Sequence, residues 1–252
     1  MPPRPVLHSN HAVPYTAACI CGFFLDWCGM RQLAILLGAL AMACLPNSVL
    51  AADNGAGDEA ENRAVVEKYL HLHNTHKLNQ TMEMYHTDAV FLLNGGRPPV
   101  NGRAAIRELE RFDIYAKSTV QPYGLTFERR GSAWAVHLAG VTEHSDIFAA
   151  IGLVIVQTEP TRDAFIIERG LIRLITQPEV KAACRTGIIA GFVGMTKWLI
   201  DTNDARAPDL INDGKLKLVP GTIRLVVQAI KDWRAATGWE PDPATVRLCA
   251  TA

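Results

Sequence analysis

A change of hydrophobic period near the middle of the chain most strongly limits the fold that this sequence can adopt. From Asp58 to Phe112, apolar residues recur every three to four positions, which predicts three helices with one short buried strand at 89–93 between the second and the third. From Gly124 to Thr176 the period becomes two, which predicts a run of antiparallel strands. Helices followed by strands indicate the α+β class.

Helical spacing returns after the last predicted strand. One apolar stripe runs through Phe192 and a second one through Val227. We predict that residues 181–252 form a C-terminal helical extension, packed on a core domain of residues 58–180. The alternative is that these stripes bind a partner protein.

The first 51 residues have the pattern of an export signal. An uncharged apolar run at 33–45 follows Arg31, and the small residues Val49 and Ala51 stand at positions −3 and −1 of a cleavage site. The run is shorter than the roughly 20 residues of a transmembrane helix. We therefore predict that residues 1–51 are an upstream segment and a signal peptide, and that cleavage leaves an exported protein, periplasmic or secreted.

The mature chain would then begin with a polar linker at 52–57 and carry no stable membrane anchor. Two alternatives stay open: an uncleaved anchor, and a lipoprotein attached through Cys44. Export would leave Cys184 and Cys249 from the six cysteines of the sequence. An even number in an oxidising compartment predicts one disulfide, and the alternative is two unpaired or intermolecular thiols.

Charge and motifs exclude several classes of function. Lys and Arg number 25, as do Asp and Glu, so no basic excess favours nucleic acid. The sequence contains no phosphate-binding loop and no dinucleotide fingerprint, and we predict no cofactor. Among the four histidines between positions 71 and 86, only His73 and His76 share a helical face. No ligand set is complete, so we predict no metal site.

Three short segments resemble the nuclear transport factor two-like superfamily: Val66–Tyr69, Asp88–Val90 and Gly102–Leu109. Within it, the sequence resembles the SnoaL-like polyketide cyclases, the ketosteroid isomerases and the limonene-epoxide hydrolases, over about residues 59–178. The resemblance implies a cone, in which a curved antiparallel sheet wraps around the N-terminal helices and leaves a pocket at its open end. Such cones serve as enzymes and as binding modules, so the fold does not fix the activity.

The resemblance also suggests site residues. Tyr69 matches a tyrosine that holds the enolate oxygen in the isomerases, but Leu93 stands where their general base would be, and leucine cannot take a proton. The epoxide hydrolases carry a charged pair two residues apart on one strand, and His144 and Asp146 match it here. Their second aspartate corresponds to a position near Gln177, which cannot ionise.

Alternation along a predicted strand from Trp134 to Asp146 puts the even-numbered residues on one face. That face carries Val136 and Leu138, so we predict that it points inward and that His144 and Asp146 are the catalytic pair. The alternative is an ordinary pair at the rim. We predict an apolar pocket with these lining residues: Tyr69, Tyr85, Phe91, Trp134 and Gln177.

Two functions are compatible with these features of the sequence. The first is a small-molecule lyase, isomerase or hydrolase that uses His144 and Asp146 on an apolar substrate. The second is a non-catalytic module that binds a hydrophobic ligand or assembles through its sheet, with a homodimer as one form of assembly.

Overall fold

The structure is a computed structural model that describes residues 55–251, so the predicted signal peptide lies outside the described residues. The described helices are α1 (Gly55–Asn74), α2 (Leu78–Glu83), α3 (Arg103–Ala116), α4 (Asp146–Ile151), α5 (Ala182–Asp201), α6 (Ala207–Leu210), α7 (Ile223–Thr237) and α8 (Pro243–Ala250). Helix α1 already includes the last part of the linker predicted at 52–57. None of these helices is long and apolar enough to cross a membrane.

The strands of the described region form two main sheets and one short hairpin. They are β1 (Tyr85–Leu92), β2 (Val100–Asn101), β3 (Thr119–Tyr123), β4 (Thr126–Arg130), β5 (Ala133–Leu138), β6 (Gly140–His144), β7 (Val156–Gln157), β8 (Thr161–Glu168), β9 (Leu171–Thr176), β10 (Ile211–Asn212) and β11 (Lys215–Leu216). The larger sheet has the order β2-β1-β9-β8-β5-β4, the smaller one β3-β6-β7, and β10 pairs with β11. The predicted α+β class, with helices at the C-terminal end, is confirmed.

The larger sheet is mixed, whereas the sequence predicted an antiparallel one. Strands β1 and β9 run parallel, and the other neighbouring pairs are antiparallel. A parallel pair requires a long crossover rather than a tight turn. Here α3 and the strands β3–β8 form that crossover, which alternation of hydrophobic residues alone does not reveal.

The strand predicted from Trp134 to Asp146 is interrupted at Ala139. The backbone N–H of Ala139 donates to Tyr123 and Gly124 instead of continuing the ladder, and the chain passes from the larger sheet into the smaller one. The buried positions shift phase at this point, from Leu138 before the break to Val141 after it. Because side chains alternate along a strand, the odd-numbered residues of β6 face the interior.

Two clusters of buried apolar residues stabilise the fold. The first lies between α1, α3 and the larger sheet and includes Val66, Ile106 and Ile172. The second lies among α4, α5, α7 and α8 and includes Leu199 and Trp233. Helix α4 contributes to the second cluster although it precedes the domain boundary predicted at residue 181, and that boundary stays a prediction.

Helix α5 approaches its neighbours closely where it carries glycine. A Cβ atom added at Gly194 would overlap the indole ring of Trp233 on α7, and one added at Gly191 would press on Ile151 at the end of α4. Glycine is therefore required for the observed distance between α5 and its two partners, because packed interiors leave no room for an extra methyl group.

A disulfide joins the two C-terminal cysteines. Cys184 on α5 and Cys249 on α8 are bonded, with their Cα atoms 4.8 Å apart, and both side chains are buried. We expect mass spectrometry of the unreduced protein to find the two peptides linked. Replacing both cysteines by serine should lower the free energy of unfolding by about 2–4 kcal/mol, because the bond closes a long loop in the unfolded chain. Two freely alkylated cysteines would contradict this prediction.

Candidate functional site

The predicted catalytic pair does not form. His144 is the last residue of β6, whereas Asp146 is the first residue of α4, which Ser145 caps by accepting the backbone N–H of Phe148. Asp146 forms an ion pair with Lys117, at 3.0 Å, and both side chains are exposed. The placement of His144 and Asp146 on one inward strand face is therefore wrong, because the strand changes phase at Ala139 and ends at His144. Their catalytic role stays a prediction.

His144 lines a surface pocket. This pocket has a volume of about 370 Å³ and lies between α1 and β3, with Glu67 and Gln121 among its other lining residues. The neighbouring residue Glu143 faces the interior instead, where its charge acts on His73.

The five residues predicted to line one pocket fall into two groups in the fold. Tyr69 and Tyr85 lie together in the interior, with their ring centroids 5.8 Å apart. Trp134 and Phe91 are partly buried at the edge of the first apolar cluster, on β5 and β1. Gln177 accepts a hydrogen bond from Arg97 at 2.9 Å and lines a different surface pocket of about 300 Å³. Tyr69, Tyr85, Phe91 and Trp134 thus belong to the first apolar cluster, whereas Gln177 lines a surface pocket, and a pocket lined by all five stays a prediction.

A buried polar cluster occupies the interior around Glu110. Oε1 of this carboxylate accepts hydrogen bonds from the Tyr85 hydroxyl at 2.6 Å and from the Tyr69 hydroxyl at 3.0 Å. Oε2 lies 2.9 Å from Nδ1 of His73. Glu110 is only 4% exposed and His73 only 7%. A carboxylate buried this deeply is stable only when it is paired and hydrogen-bonded, as it is here.

Helical spacing brings these side chains together. Tyr69 and His73 are four residues apart on α1, and Glu110 and Asp113 are three apart on α3, so each pair lies on one face of its helix. Each of these faces also carries core residues of the first cluster, such as Val66 on α1 and Ile106 on α3. The two helices therefore direct their polar residues at each other inside the cone.

The second ring nitrogen of His73 is unpartnered within the described residues. Nδ1 faces Glu110, whereas Nε2 is buried and has no hydrogen-bond partner. With the carboxylate as acceptor, we assign the Nδ1 proton to the hydrogen bond with Glu110. The remaining nitrogen can exchange a proton with a molecule that reaches it.

Two further acids lie near His73 and are partly exposed. Asp113 follows Glu110 on α3, and Glu143 is on β6. The Ser118 hydroxyl donates to Oε1 of Glu143 at 2.8 Å. Because both of these residues are more exposed than His73, we expect that they lie on the side from which a small molecule would approach the imidazole.

The electrostatics of the cluster favour an ion pair between His73 and Glu110. Burial lowers the pKa of His73, but the hydrogen bond to Glu110 and the charges of Glu110, Asp113 and Glu143 outweigh it and raise this pKa to about 9. Burial raises the pKa of Glu110, and the hydrogen bond and charge of His73, with the two tyrosine hydroxyls, outweigh it and lower this pKa below its usual value. At neutral pH the pair is therefore imidazolium and carboxylate.

The two outer acids have the opposite tendency. Burial raises the pKa of Asp113 to about 8, with the negative charges of Glu110 and Glu143 adding to the effect and His73 opposing it. Burial also raises the pKa of Glu143, against the hydrogen bond from Ser118 and the charges of His73 and His144. At pH 7 the site thus contains proton donors and a carboxyl group that is more basic than usual.

The same cluster contains the residues that could hold a metal ion. His73, Glu110 and Asp113 can each offer one ligand atom, all within 4.8 Å of one another. However, both oxygens of Glu110 and Nδ1 of His73 already take part in hydrogen bonds inside the cluster. An ion bound through Nδ1 of His73 would have to displace its hydrogen bond to Glu110.

Sequence reasoning found part of this cluster and missed the rest. It selected Tyr69 and Tyr85, considered His73 only as a metal ligand, and overlooked Glu110 and Asp113. A signal was present, since Glu110 and Asp113 follow Ile106 by four and seven positions, on the apolar face of an amphipathic helix. Charged residues on such a face are rarely buried without a specific partner.

Among the comparisons with known proteins, only the one with solved structures finds similar proteins. No family model and no curated protein matches the chain. The chain is similar to the epoxide hydrolase/cyclase-like enzyme SalBIII, which has a role in pyran ring formation in the polyether salinomycin; the identity is 20% and the TM-score 0.39, over 50% of this chain and 94% of that one.

Two further solved structures are similar to it. One is an NTF2-like protein of unknown function from Pseudomonas putida, with 12% identity and a TM-score of 0.40 over 48% of this chain and 85% of that one. The other is a ketosteroid isomerase-like protein from Erwinia carotovora atroseptica, with 15% identity and a TM-score of 0.37 over 49% and 95%.

Proposed function

We propose that this protein is an enzyme that acts on a small, oxygen-containing molecule by acid–base catalysis at His73. The observation that carries the proposal is the geometry of this imidazole. One of its nitrogens faces a buried carboxylate, and the other is buried without a partner among the described residues. The reaction class is a lyase, isomerase or hydrolase reaction, in which protons move to and from a substrate without a cofactor.

Each contact of His73 has a part in this proposal. The hydrogen bond between Nδ1 and Glu110 fixes the ring orientation and favours the imidazolium form. The Nε2–H group then lacks an acceptor, and a buried donor without an acceptor costs about 1–3 kcal/mol. A carbonyl, hydroxyl or epoxide oxygen of a substrate would accept this hydrogen bond and would receive the proton as the reaction proceeds.

The two tyrosines support Glu110. The Tyr69 and Tyr85 hydroxyls both donate to the oxygen of Glu110 that does not face His73. They hold the carboxylate in place and offset the loss of its hydration. We assign them a positioning role, which differs from the pocket-lining role expected from the sequence.

A second candidate function follows from the packing of the interior. Tyr69 is in ring contact with Tyr85 and Phe165, so aromatic side chains of the chain itself fill much of the space inside the cone. This packing favours a non-catalytic module that binds an apolar molecule elsewhere or assembles with a second copy. In that case the buried cluster would serve stability alone.

We also propose that the protein is exported. The support is the signal-peptide pattern of the sequence together with the buried disulfide between Cys184 and Cys249, because disulfides persist in oxidising compartments. Catalysis by His73 does not depend on this proposal.

Turnover of defined substrates tests the proposed activity. We would assay wild-type protein on a panel of β-hydroxy ketones, enones and small epoxides and then compare His73→Gln with His86→Gln, a matched change at a partly exposed histidine. Because a general acid contributes about 10²–10⁴-fold in rate, we expect His73→Gln to lower kcat/KM by that factor and His86→Gln to leave it unchanged.

The same assay compares the two candidate sites. His144→Ala and Asp146→Ala should retain activity if His73 is the catalytic residue. Loss of activity in those two variants, with His73→Gln active, would return the site to the pair predicted from the sequence. Absence of turnover across the panel would favour the non-catalytic module.

A further inference from the structure

The turn between α3 and β3 connects the two partly exposed acids of the site. Helix α3 ends at Ala116, and the next residue, Lys117, caps it in a left-handed conformation with φ 49°. The backbone N–H of the next residue, Ser118, donates to the carbonyl of Asp113 at 2.8 Å. This closure is a common way of ending a helix, and it places Ser118 directly beside the last turn of α3.

Ser118 is held firmly where it meets β6. It is 2% exposed, its carbonyl lies 2.9 Å from Nε2 of His76, and its hydroxyl donates to Oε1 of Glu143 at 2.8 Å. The change of phase at Ala139 is what turns Glu143 toward this hydroxyl. One buried serine therefore fixes an inward-facing carboxyl group next to the proton-donating side of the site.

We propose that Glu143 is the proton acceptor of this site and that Ser118 positions its carboxylate for that role. The inference rests on the proposed function of His73 and assigns the second half of the proton transfer. A hydroxyl that donates to a carboxylate favours the ionised form. The site then contains one carboxylate held ready to accept a proton beside an imidazolium ready to give one.

The groups around Glu143 are consistent with its role as the proton acceptor. Burial opposes the ionised form of Glu143, whereas the hydrogen bond from Ser118 and the charges of His73 on α1 and His144 on β6 favour it. Glu143 in turn raises the pKa of Asp113 on α3. The balance leaves the pKa of Glu143 above its usual value. A carboxylate with a raised pKa accepts a proton more readily than an exposed glutamate does.

The reaction that this pairing suits is elimination of water from a β-hydroxy carbonyl compound, or its reverse. The C–H bond next to the carbonyl breaks, and its proton goes to Glu143. The electron pair forms the carbon–carbon double bond as the C–O bond breaks, and the leaving oxygen takes the proton of His73 Nε2. Water and an enone are released, and Glu143 and His73 return to their starting forms by passing one proton between them through solvent.

Glu143→Gln tests the acceptor directly. On a β-hydroxy ketone, we expect it to lower kcat by about 10²–10⁴-fold with little change in KM. The control is Glu159→Gln, an exposed glutamate in the β7–β8 connection, which should leave both constants unchanged. If the wild-type protein turns the substrate over and Glu143→Gln is equally active, Glu143 is not the proton acceptor. That result would leave the proposed role of His73 unchanged.

Ser118→Ala tests the positioning role by a measurement that a purely structural role would not change. Without its donor, the Glu143 carboxylate is less stable, so its titration, followed by carboxyl ¹³C NMR, should move to higher pH. The acidic limb of the pH–rate profile should move in the same direction. Ser132→Ala, at an exposed turn, is the control. An unchanged Glu143 titration in Ser118→Ala overturns the positioning role.

The two measurements also separate this inference from the proposed function. If no substrate of the panel is turned over, the acceptor role falls together with acid–base catalysis at His73. The NMR titration still decides whether Ser118 controls the ionisation of Glu143.

Discussion

Glu110→Gln is expected to lower the free energy of unfolding by about 3–5 kcal/mol, the usual cost of removing one partner of a buried ion pair. Glu110 is 4% exposed, and its carboxylate accepts hydrogen bonds from Tyr69 and Tyr85 and faces His73. The amide keeps the shape of the side chain but removes the charge that balances the imidazolium. The NH₂ group of the amide also cannot accept a hydrogen bond from the Nδ1–H group of His73.

The matched control is Glu108→Gln on the same helix. Glu108 pairs with Arg111 at 3.0 Å, and its side chain is 30% exposed. Surface pairs of this kind contribute about 0–1 kcal/mol, so the loss should be much smaller. Urea unfolding of both variants beside wild type measures the difference. Similar losses in the two variants would mean that the cluster around Glu110 does not carry the stability assigned to it.

Raising the pH from about 6.5 to 9 is expected to destabilise the protein. The pKa of His73 is raised from its ordinary value of 6.5 to about 9 in the fold, so the folded state holds this proton more tightly than the unfolded state does. Its contribution is fully present below 6.5 and is lost as the pH rises through 9; it amounts to about 3 kcal/mol. Asp113, with its pKa raised from 3.8 to about 8, acts in the same direction, and its contribution is lost between those two pH values.

At acidic pH, Glu110 has the opposite effect on the free energy of unfolding. Its pKa is lowered in the fold, so its contribution is present above its ordinary pKa and is lost as the pH falls through the folded value. The contribution of the His73–Glu110 pair should therefore be greatest between these two transitions. Urea unfolding at a series of pH values measures the profile, and His73→Gln should flatten its alkaline side while His86→Gln should not. Equal alkaline slopes in wild type and His73→Gln would refute the assignment.

Hydrophobic periodicity predicted most of the fold correctly. The switch from helix to strand spacing indicated the α+β class, and the predicted run of strands ends at Thr176, as β9 does in the structure. Stripes at helical spacing predicted α5 and α7 because both bury one continuous face. Helix α4 was missed because six residues are too short for a periodic signal, although Ser145 before it and Gly152 after it are typical caps.

The candidate site was predicted less well for a specific physical reason. Alternation was extended through Ala139, and a single interruption of the ladder moves every later side chain to the other face. That shift exchanged His144 for Glu143 at the inward position. The contact between His73 and Glu110 joins two helices across 37 positions, and no local pattern in the sequence encodes it.

The protonation state of His73 tests the central claim most directly, because catalysis and stability both depend on its pairing with Glu110. Imidazole ¹⁵N NMR of the wild-type protein should show both ring nitrogens protonated at about pH 7.5, with a titration midpoint near the pKa of about 9. In Glu110→Gln the midpoint should fall toward the ordinary value of a histidine. A wild-type midpoint near 6.5 that does not change in Glu110→Gln would contradict the pairing.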